Sequence, residues 1–359
     1  MKKRIGILTS GGDCPGLNAA LRGVAKAAYE LMDVEFVGIS DGYLGLIQGN
    51  AKEMGEEDFS GILTLGGTIL GTSRQPYKNM RVIAEDNVDK VEAMKATYKN
   101  LKLDCLLTLG GNGTHKTANL LSQERLNVIG LPKTIDNDIY GTDVTFGFHT
   151  ALEIATEVID RIHTTANSHG RVMVIEIMGN KAGWLTLFAG VAGGSDIILL
   201  PEIPYSLDAL EAAVEERATK KKRSFAIIAV AEGAMTVEEA ALKSRKRQEI
   251  RAQEQYMSIS YRIADQMQQR TGYESRVVVP GHIQRGGSPS PYDRVLATKF
   301  GAHAARLIKD GVYGVTVAQK GDLITHNALA DVAGKPKLVP IGDQMIETAR
   351  NVGISFGDR

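Results

Sequence analysis

Short apolar runs rich in β-branched residues alternate with longer segments of helical periodicity along most of this chain. The runs lack polar alternation, which is typical of strands buried on both faces of a sheet. They predict strands at residues 4–9, 34–39, 105–109, 128–131, 172–177, 197–200, 225–229, 277–279 and 315–318. The longer segments predict helices at residues 17–31, 87–100, 114–121, 148–165, 207–219, 247–270 and 291–309. This alternation indicates an α/β fold with mainly parallel sheets and helices on both faces.

The length of 359 residues is enough for two domains of ordinary size. A break near Gly147 separates two sets of predicted strands. We expect residues 1–147 and about 284–334 to form one domain. We expect residues 148–283 and about 335–359 to form the other.

Composition excludes several classes of protein. The formal net charge is +0 at pH 7, so no global attraction to nucleic acid or to a membrane is expected. Cys14 and Cys105 are the only cysteines, which argues against a disulfide framework or a cysteine-rich zinc site. No window has the uninterrupted apolar length of a membrane span, and the first residues lack a signal-peptide pattern. We therefore expect a soluble, cytoplasmic protein.

Two carboxylates lie two residues apart just after the predicted strand 128–131, in the segment Thr134-Ile135-Asp136-Asn137-Asp138. In open α/β sheets, ligands bind at the carboxyl ends of the strands. One carboxylate there can take a proton from a substrate hydroxyl while its neighbour positions the substrate or a metal. Taken alone, the pair is better explained as a helix cap or an Asx turn.

Three glycine-rich loops follow predicted strands or turns: residues 10–16, residues 66–74 and residues 110–114. Glycine lets backbone N–H groups approach a phosphate closely, and a helix that begins beyond it adds partial positive charge. None is a Walker loop, and no dinucleotide fingerprint follows the first strand. With Arg74 and Thr114 beside them, these loops indicate phosphate binding more strongly than simple tight turns. Together with the carboxylates, they suggest phosphoryl transfer to an alcohol.

Seven motifs occur in one order along the chain: Thr9-Ser10-Gly11-Gly12-Asp13-Cys14-Pro15-Gly16-Leu17-Asn18-Ala19, Asp41-Gly42-Tyr43, Gly110-Gly111-Asn112-Gly113-Thr114, Pro132-Lys133-Thr134-Ile135-Asp136-Asn137-Asp138, Met178-Gly179, Ala231-Glu232-Gly233 and Gly281-His282-Ile283-Gln284-Arg285-Gly286-Gly287. This set resembles the 6-phosphofructokinase family, in its mixed-substrate branch. The resemblance implies two Rossmann-like three-layer domains with the active site in the cleft between them. It also implies phosphoryl transfer from ATP, or from pyrophosphate in some members, to the 1-hydroxyl of fructose 6-phosphate.

The resemblance assigns a role to each matching residue. Asp136 matches the general base, while Asp138 and Thr134 match residues that position the sugar and the transferred phosphoryl group. The donor-phosphate site is implied to comprise Gly12, Arg74, Gly111, Asn112, Gly113 and Thr114. The sugar-phosphate pocket is implied to comprise Met178, Gly179, Glu232, Arg276, His282 and Arg285, with Arg171 contributed by a neighbouring subunit. The other histidines are expected to have structural roles only.

The chain departs from the family pattern at three points. Asn112 stands where most members have an aspartate that helps to hold Mg²⁺, which suggests weakened metal binding. Gly113 is typical of ATP-using members, whereas Lys133 is typical of pyrophosphate-using ones. Because an acidic side chain at 113 would crowd and repel the nucleotide, Gly113 favours ATP. Asn180 replaces an arginine that follows the Met-Gly pair in many members.

The sequence thus predicts an ATP-dependent, Mg²⁺-requiring 6-phosphofructokinase of glycolysis that forms a homo-oligomer, either a tetramer or a dimer. The alternatives are a pyrophosphate-dependent enzyme and, because of Asn112 and Asn180, a catalytically weak regulatory paralogue. An NAD or diacylglycerol kinase would share a glycine-rich loop but lack the motif at 281–287. Arg22, Lys26 and the basic run at residues 220–223 match parts of an effector site only incompletely, so we expect weak or absent ADP activation and phosphoenolpyruvate inhibition.

Overall fold

The structure is a computed structural model that describes residues 2–83, 88–219 and 225–359. The strands, in chain order, are β1 (Lys3–Ser10), β2 (Val34–Ile39), β3 (Ala51–Met54), β4 (Cys105–Gly110), β5 (Val128–Pro132), β6 (Val172–Ile177), β7 (Ile197–Leu199), β8 (Ala226–Ala231), β9 (Ser275–Val278), β10 (Val315–Lys320) and β11 (Leu323–Ala328). The helices are α1 (Leu17–Leu31), α2 (Tyr43–Gln48), α3 (Lys90–Asn100), α4 (Asn112–Gln123), α5 (Phe148–His169), α6 (Trp184–Ala192), α7 (Leu207–Thr219), α8 (Val237–Ala240), α9 (Ser244–Gln253), α10 (Ile259–Thr271), α11 (Pro291–Asp310), α12 (Leu329–Val332) and α13 (Gln344–Asn351).

The chain divides into two compact units. Unit 1 comprises Met1–Thr150 and Arg285–Lys337, and unit 2 comprises Ala151–Gln284 and Leu338–Arg359. Each unit contains its own sheet and its own hydrophobic core. The predicted α/β fold with mainly parallel sheets is confirmed.

Unit 1 is built on a sheet with the strand order β11-β10-β5-β4-β1-β2-β3. The inner strands are parallel, whereas β3 and β11 at the two edges run antiparallel to their neighbours. Helices α1 and α11 pack closely because glycines stand at their contact. A Cβ on Gly23 would lie 2.9 Å from the Cα of Thr298, and one on Gly301 would lie 2.5 Å from the backbone nitrogen of Val24.

Unit 2 is built on a parallel four-stranded sheet with the order β7-β8-β6-β9. Every residue of β8 is buried, as its uninterrupted apolar sequence predicts. Side chains from β6, β7 and β8 pack with Ile263 and Met267 of α10 in one core cluster. Among the described helices of either unit, none is both long and apolar enough to cross a membrane.

The predicted helix at 247–270 is wrong, because two helices, α9 and α10, are separated by residues 254–258. Ser258 has an extended backbone with φ −158° and ψ 171°. The break allows the guanidinium groups of Arg251 and Arg262 to bind the same carboxylate, that of Glu239. In one straight helix these two residues would stand about 16 Å apart along the axis, which is too far for this shared contact.

Candidate active site

Three neighbouring strands of unit 1 end at the same level of the sheet. In the register of β1, β4 and β5, Ser10 lies opposite Gly110, and Gly110 lies opposite Pro132. The three segments that follow these strands therefore leave the sheet side by side at its carboxyl edge. They are residues 11–16, the first turn of α4 and the acidic segment 133–138. This is the edge at which open α/β sheets bind ligands.

The loop after β1 is held against residues 72–74. Gly11, in the left-handed region with φ +88°, donates its N–H to the carbonyl of Ser73 at 3.0 Å. The hydroxyl of Thr72 donates to the carbonyl of Gly11 at 2.6 Å. These two hydrogen bonds place Arg74 beside the loop. A Cβ on Gly12 would lie 3.5 Å from Nη2 of Arg74.

Arg285 reaches the same loop, because a Cβ on Gly12 would lie 3.0 Å from its Nη1. That nitrogen also donates to the carbonyl of Asp13 at 3.2 Å. The structure therefore groups Arg285, which the resemblance assigns to the sugar phosphate, with Gly12 and Arg74. Two guanidinium groups at one glycine form a site suited to phosphate oxygens, since each fork can bind them bidentately. A side chain at position 12 would occupy the space between them.

Lys133 supports this loop from inside the fold. Its side chain is buried, and its ammonium group donates to the carbonyl of Gly12. Burial lowers the pKa of Lys133. The neighbouring Cys14 is fully buried, and burial raises the pKa of its thiol to about 12. The thiol is therefore unreactive at neutral pH.

The first turn of α4 lies beside the Gly12 loop. The hydroxyl of Thr114 donates to the carbonyl of Ser10 at 3.3 Å, and the hydroxyl of Tyr43 donates to the carbonyl of Thr114 at 3.0 Å. Gly111 caps the helix without a side-chain partner for the first N–H groups. Such an end can bind an anion. A Cβ on Gly113 would meet no atom within 4 Å, so the space beside this turn is open.

Asn112, the first residue of α4, uses both polar atoms of its amide in contacts with residues 334 and 335. Its Oδ1 accepts the N–H of Gly334 at 3.1 Å, and its Nδ2 donates to the carbonyl of Lys335 at 3.4 Å. Within the described residues, no group of three or more His, Cys, Asp or Glu side chains could hold a metal ion. Because its amide is engaged by the backbone, Asn112 does not fit the magnesium-ligand role that the resemblance suggests.

The acidic segment after β5 forms a braced turn. Asp136 is 8% exposed, and its N–H donates to the hydroxyl of Thr134 at 3.1 Å. Asn137 occupies the left-handed region with φ +51°. Its Oδ1 accepts the N–H of Thr145 at 3.1 Å, and the hydroxyl of Thr145 donates to the carbonyl of Thr134 at 2.7 Å. The turn that carries the two carboxylates is therefore fixed by hydrogen bonds to residue 145.

Asp138 is half-buried, and burial raises the pKa of its carboxyl, whereas the charges of Lys337 and Lys133 oppose this shift. The backbone N–H of Lys337 donates to the carbonyl of Asp138 at 2.8 Å. Its ammonium donates to the carbonyls of Thr142 at 2.9 Å and Asp143 at 2.8 Å. Burial lowers the pKa of Lys337 to about 8. The role of Lys337 was not predicted, because no pattern in the sequence links it to the acidic segment.

In unit 2, Glu232 follows β8 and holds the turn that follows β6. Its Oε1 accepts the N–H groups of Gly179 at 3.2 Å and Asn180 at 2.5 Å. The N–H of Met178 donates to the Oε1 of the buried Gln284 at 3.3 Å. The structure thus brings Met178, Gly179 and Glu232 together. Gln284 lies within the recognised motif at 281–287, but the motif did not reveal that it supports this turn.

Arg171 and Arg276 share one carboxylate in unit 2. Arg171 donates from Nε and Nη2 to Glu274 at 2.8 and 3.2 Å, and Arg276 donates from Nη2 to the same side chain. Glu274 is partly exposed, and hydrogen bonding from Arg171 lowers its pKa. His282 is exposed in a short helical turn, Gly281–Arg285. The two arginines thus form a partly exposed cationic pair in this chain.

The remaining sequence-predicted features have structural contacts or lie outside the description. His115 is buried between the carbonyl of Gly111 and the hydroxyl of Thr316, at 2.9 and 2.8 Å. Lys26 pairs with Glu56 at 2.6 Å on the surface. The basic run at residues 220–223 lies outside the described residues, so the expectation about effectors stays a prediction.

Comparison with known proteins identifies related sequences and folds. A family model described as Phosphofructokinase matches residues 4–308. A protein of Spirochaeta thermophila named ATP-dependent 6-phosphofructokinase is 55% identical over 359 residues, which cover 99% of this chain and 98% of that protein. A protein of Amycolatopsis methanolica named pyrophosphate–fructose 6-phosphate 1-phosphotransferase is 45% identical over 338 residues, which cover 94% of this chain and 96% of that protein.

A solved phosphofructokinase structure from Saccharomyces cerevisiae matches with a TM-score of 0.79 and 30% sequence identity. The match covers 92% of this chain and 45% of the yeast chain. This chain therefore spans less than half the length of that structure, while it spans nearly all of the bacterial relatives.

Proposed function

This chain belongs to the phosphofructokinase family, and we propose that it transfers the γ-phosphoryl group of ATP to the 1-hydroxyl of fructose 6-phosphate. The product would be fructose 1,6-bisphosphate, the product of this step in glycolysis. One observation carries the proposal: the Gly12 loop, the first turn of α4 and the Asp136 turn leave adjacent strands at one level of the sheet. A phosphate cradle and a buried carboxylate at the same edge are what phosphoryl transfer to an alcohol requires.

The donor phosphates are proposed to bind between the Gly12 loop and the N-terminus of α4. The backbone N–H groups of Gly111, Gly113 and Thr114 offer hydrogen bonds and the positive end of the helix dipole. The guanidinium groups of Arg74 and Arg285 converge on this loop. They would stabilise the negative charge on the phosphoryl oxygens in the transition state.

Asp136 is proposed to act as the general base. Its carboxylate would take the proton of the 1-hydroxyl while the sugar oxygen bonds to the γ-phosphorus. The bond from the γ-phosphorus to the bridging oxygen breaks, and ADP leaves with that electron pair. Thr134 and Asp138 would position the hydroxyl and the transferred group, a role supported by the bracing of their turn through Asn137 and Thr145.

Unit 2 is proposed to bind the sugar phosphate. Glu232 and the turn at Met178 and Gly179 would contact the sugar, while Arg276 and His282 would contact its 6-phosphate. Arg171 would reach the phosphate site of a neighbouring subunit, so the proposal includes a homo-oligomer, a tetramer or a dimer.

ATP is the preferred donor in this proposal for two reasons. The space beside Gly113 is open, which leaves room for the nucleotide beyond the transferred phosphate. Lys133, the residue that favours pyrophosphate, is buried with its ammonium on the carbonyl of Gly12. The relatives include proteins named for each donor, and the Spirochaeta relative at 55% identity is named for ATP. We propose that Mg²⁺ is brought to the site by the donor phosphates. We also propose that the protein is located in the cytoplasm.

A donor assay tests the proposal. Purified protein is assayed with fructose 6-phosphate and Mg²⁺ and with either ATP or pyrophosphate. We expect turnover with ATP, and turnover with pyrophosphate alone would reject the donor. Asp136→Asn should lower kcat by about a hundredfold to ten-thousandfold while fructose 6-phosphate still binds.

The same assay separates the regulatory alternative. Tight binding of fructose 6-phosphate by the unmodified protein without turnover on either donor would favour a regulatory paralogue. Binding of the sugar phosphate is measured by calorimetry, which does not depend on turnover.

A further inference from the structure

A short segment after α12, residues 333–337, bridges two parts of the proposed catalytic apparatus in unit 1. We refer to this segment as the strap. At one end it contacts the first turn of α4, and at the other it contacts the acidic segment and the loop that follows. Both ends are fixed by hydrogen bonds that involve side chains. The position of the strap on unit 1 therefore depends on the identity of particular residues.

The first anchor is Asn112. Its Oδ1 accepts the N–H of Gly334 at 3.1 Å, and its Nδ2 donates to the carbonyl of Lys335 at 3.4 Å. Only an amide side chain of this length offers both an acceptor and a donor there. An aspartate would keep the acceptor but would turn a second acceptor toward the carbonyl of Lys335.

The backbone conformation of the strap beside α4 also favours glycine. Gly334 has φ +87°, in the left-handed region, and a Cβ there would lie 3.0 Å from Cε of Lys116. A residue with a side chain would be strained at this φ, while the flexible end of the Lys116 side chain could move aside. Asn112 and Gly334 therefore form a matched pair.

The second anchor is Lys337. Its backbone N–H donates to the carbonyl of Asp138 at 2.8 Å. Its ammonium donates to the carbonyls of Thr142 and Asp143 at 2.9 and 2.8 Å. The strap is thus tied to the last residue of the acidic segment and to the loop that follows it.

We propose that the strap is a positioning element for phosphoryl transfer, with Asn112 and Lys337 as its anchors. It holds the phosphate-binding end of α4 in register with the turn that carries Asp136 and Asp138. The family resemblance leads us to expect a magnesium ligand at position 112, but Asn112 instead anchors the strap. The anchor needs both an acceptor and a donor, which explains why an amide stands here in place of a carboxylate. The positioning role rests on the proposed function, whereas the docking of the strap does not.

The first experiment measures the docking without substrates. Hydrogen exchange is followed by mass spectrometry on peptides that cover residues 333–337. Asn112→Ala should increase exchange at Gly334 because its N–H loses its acceptor. Lys335→Ala should leave it unchanged, since Lys335 contributes its backbone carbonyl to the contact with Asn112, and its exposed side chain lies over the ring of Tyr140. Unchanged exchange in Asn112→Ala would overturn the docking.

The second experiment measures the positioning role by separating KM from kcat. Asn112→Ala and Asn112→Asp should each raise the KM for ATP by about tenfold, with the KM for fructose 6-phosphate unchanged. Lys337→Met should lower kcat by about tenfold, and Lys337→Arg, which keeps a donor, should recover part of it. Lys335→Ala is the matched control and should behave as the unmodified enzyme.

The metal-ligand alternative makes the opposite prediction for Asn112→Asp. Binding of Mg²⁺ with a non-hydrolysable ATP analogue is measured by calorimetry for this variant and the unmodified protein. Unchanged Mg²⁺ affinity together with a raised ATP KM supports the strap. Tighter Mg²⁺ binding and improved ATP use would overturn the proposal. If the unmodified protein uses no ATP, the proposed function fails, and the exchange experiment still decides whether Asn112 anchors the strap.

Discussion

The ammonium group of Lys133 donates a hydrogen bond to the carbonyl oxygen of Gly12 from the interior of unit 1. The side chain is 3% exposed. The lysine at this position therefore binds the backbone of the Gly12 loop and supports that loop from the interior. In the proposed function, this contact lets a lysine that the family resemblance associates with pyrophosphate use coexist with a donor site open to a nucleotide.

Replacement of Lys133 should destabilise the protein. Lys133→Met keeps much of the apolar volume but leaves the carbonyl of the half-buried Gly12 without its donor, which costs about 1–3 kcal/mol. The free energy of unfolding in urea is the measurement. Lys299→Met, at an exposed position of α11, is the control and should cause no measurable change. Equal stability of the two variants would show that the bond to Gly12 contributes nothing.

An acidic side chain at position 113 should change the use of the donor without unfolding the protein. A Cβ there meets no atom within 4 Å, and an aspartate in the first turn of α4 is favourable for the helix dipole. Gly113→Asp should lower kcat/KM for ATP by about a hundredfold, because like charges are brought together. Gly113→Ala adds the Cβ without charge and should retain most activity. If both variants lose ATP use equally, charge is not the cause.

His115 should make stability depend on pH. Burial lowers its pKa from 6.5 to about 4, so between these values the unfolded chain binds a proton that the folded protein does not. Stability is therefore fully present above about pH 6.5 and is lost as the pH falls toward 4. At about pH 5 the loss from this group is roughly 2 kcal/mol relative to neutral pH.

Urea unfolding at several pH values tests this dependence. His115→Asn keeps a polar group near the carbonyl of Gly111 but cannot titrate in this range. The slope of the unfolding free energy against pH should be smaller in the variant, by an amount that corresponds to the uptake of up to one proton on unfolding. This difference does not depend on the absolute stability of the variant. An unchanged slope would assign the pH dependence to other groups.

The cluster around Glu239 should be important for stability in unit 2. Burial by itself would raise the pKa of Glu239, but hydrogen bonds from Arg251 and Arg262 hold it well below its usual range. Glu239→Gln removes one of the two carboxylates that pair with the buried Arg262. Because Glu254 still pairs with Arg262, the expected cost is about 1–3 kcal/mol.

The exposed pair of Arg245 and Glu249 on α9 provides a matched comparison. Its atoms lie 2.9 Å apart, but the side chains are 92% and 58% exposed. Because water screens such a pair, Glu249→Gln should leave the unfolding free energy essentially unchanged. A large effect at both sites would indicate that α9 is sensitive to any loss of charge.

Several buried elements were predicted at their observed bounds, whereas the edge strands and the largely buried helix α6 were missed. The structure places α1, β2 and β6 at the bounds expected from their apolar patterns, because burial on both faces or along one helical stripe leaves a strong local signal. The edge strands β3 and β11 were missed, since their sequences, AKEM and LITHNA, include polar residues and pair antiparallel at the sheet margins. The break between α9 and α10 was missed because Glu239, which binds arginines on both sides of it, lies outside that segment.

The sequence by itself determined the family, the α/β class and the loops that carry the glycines and carboxylates, since these follow from local patterns and collinear motifs. Only the tertiary structure decided which side chains meet. Lys133 and Gly12 are 121 positions apart, and Asn112 and Gly334 are 222 positions apart. No local pattern records such a pair, because the two partners come together only when the sheet orders its strands and α12 packs on α4.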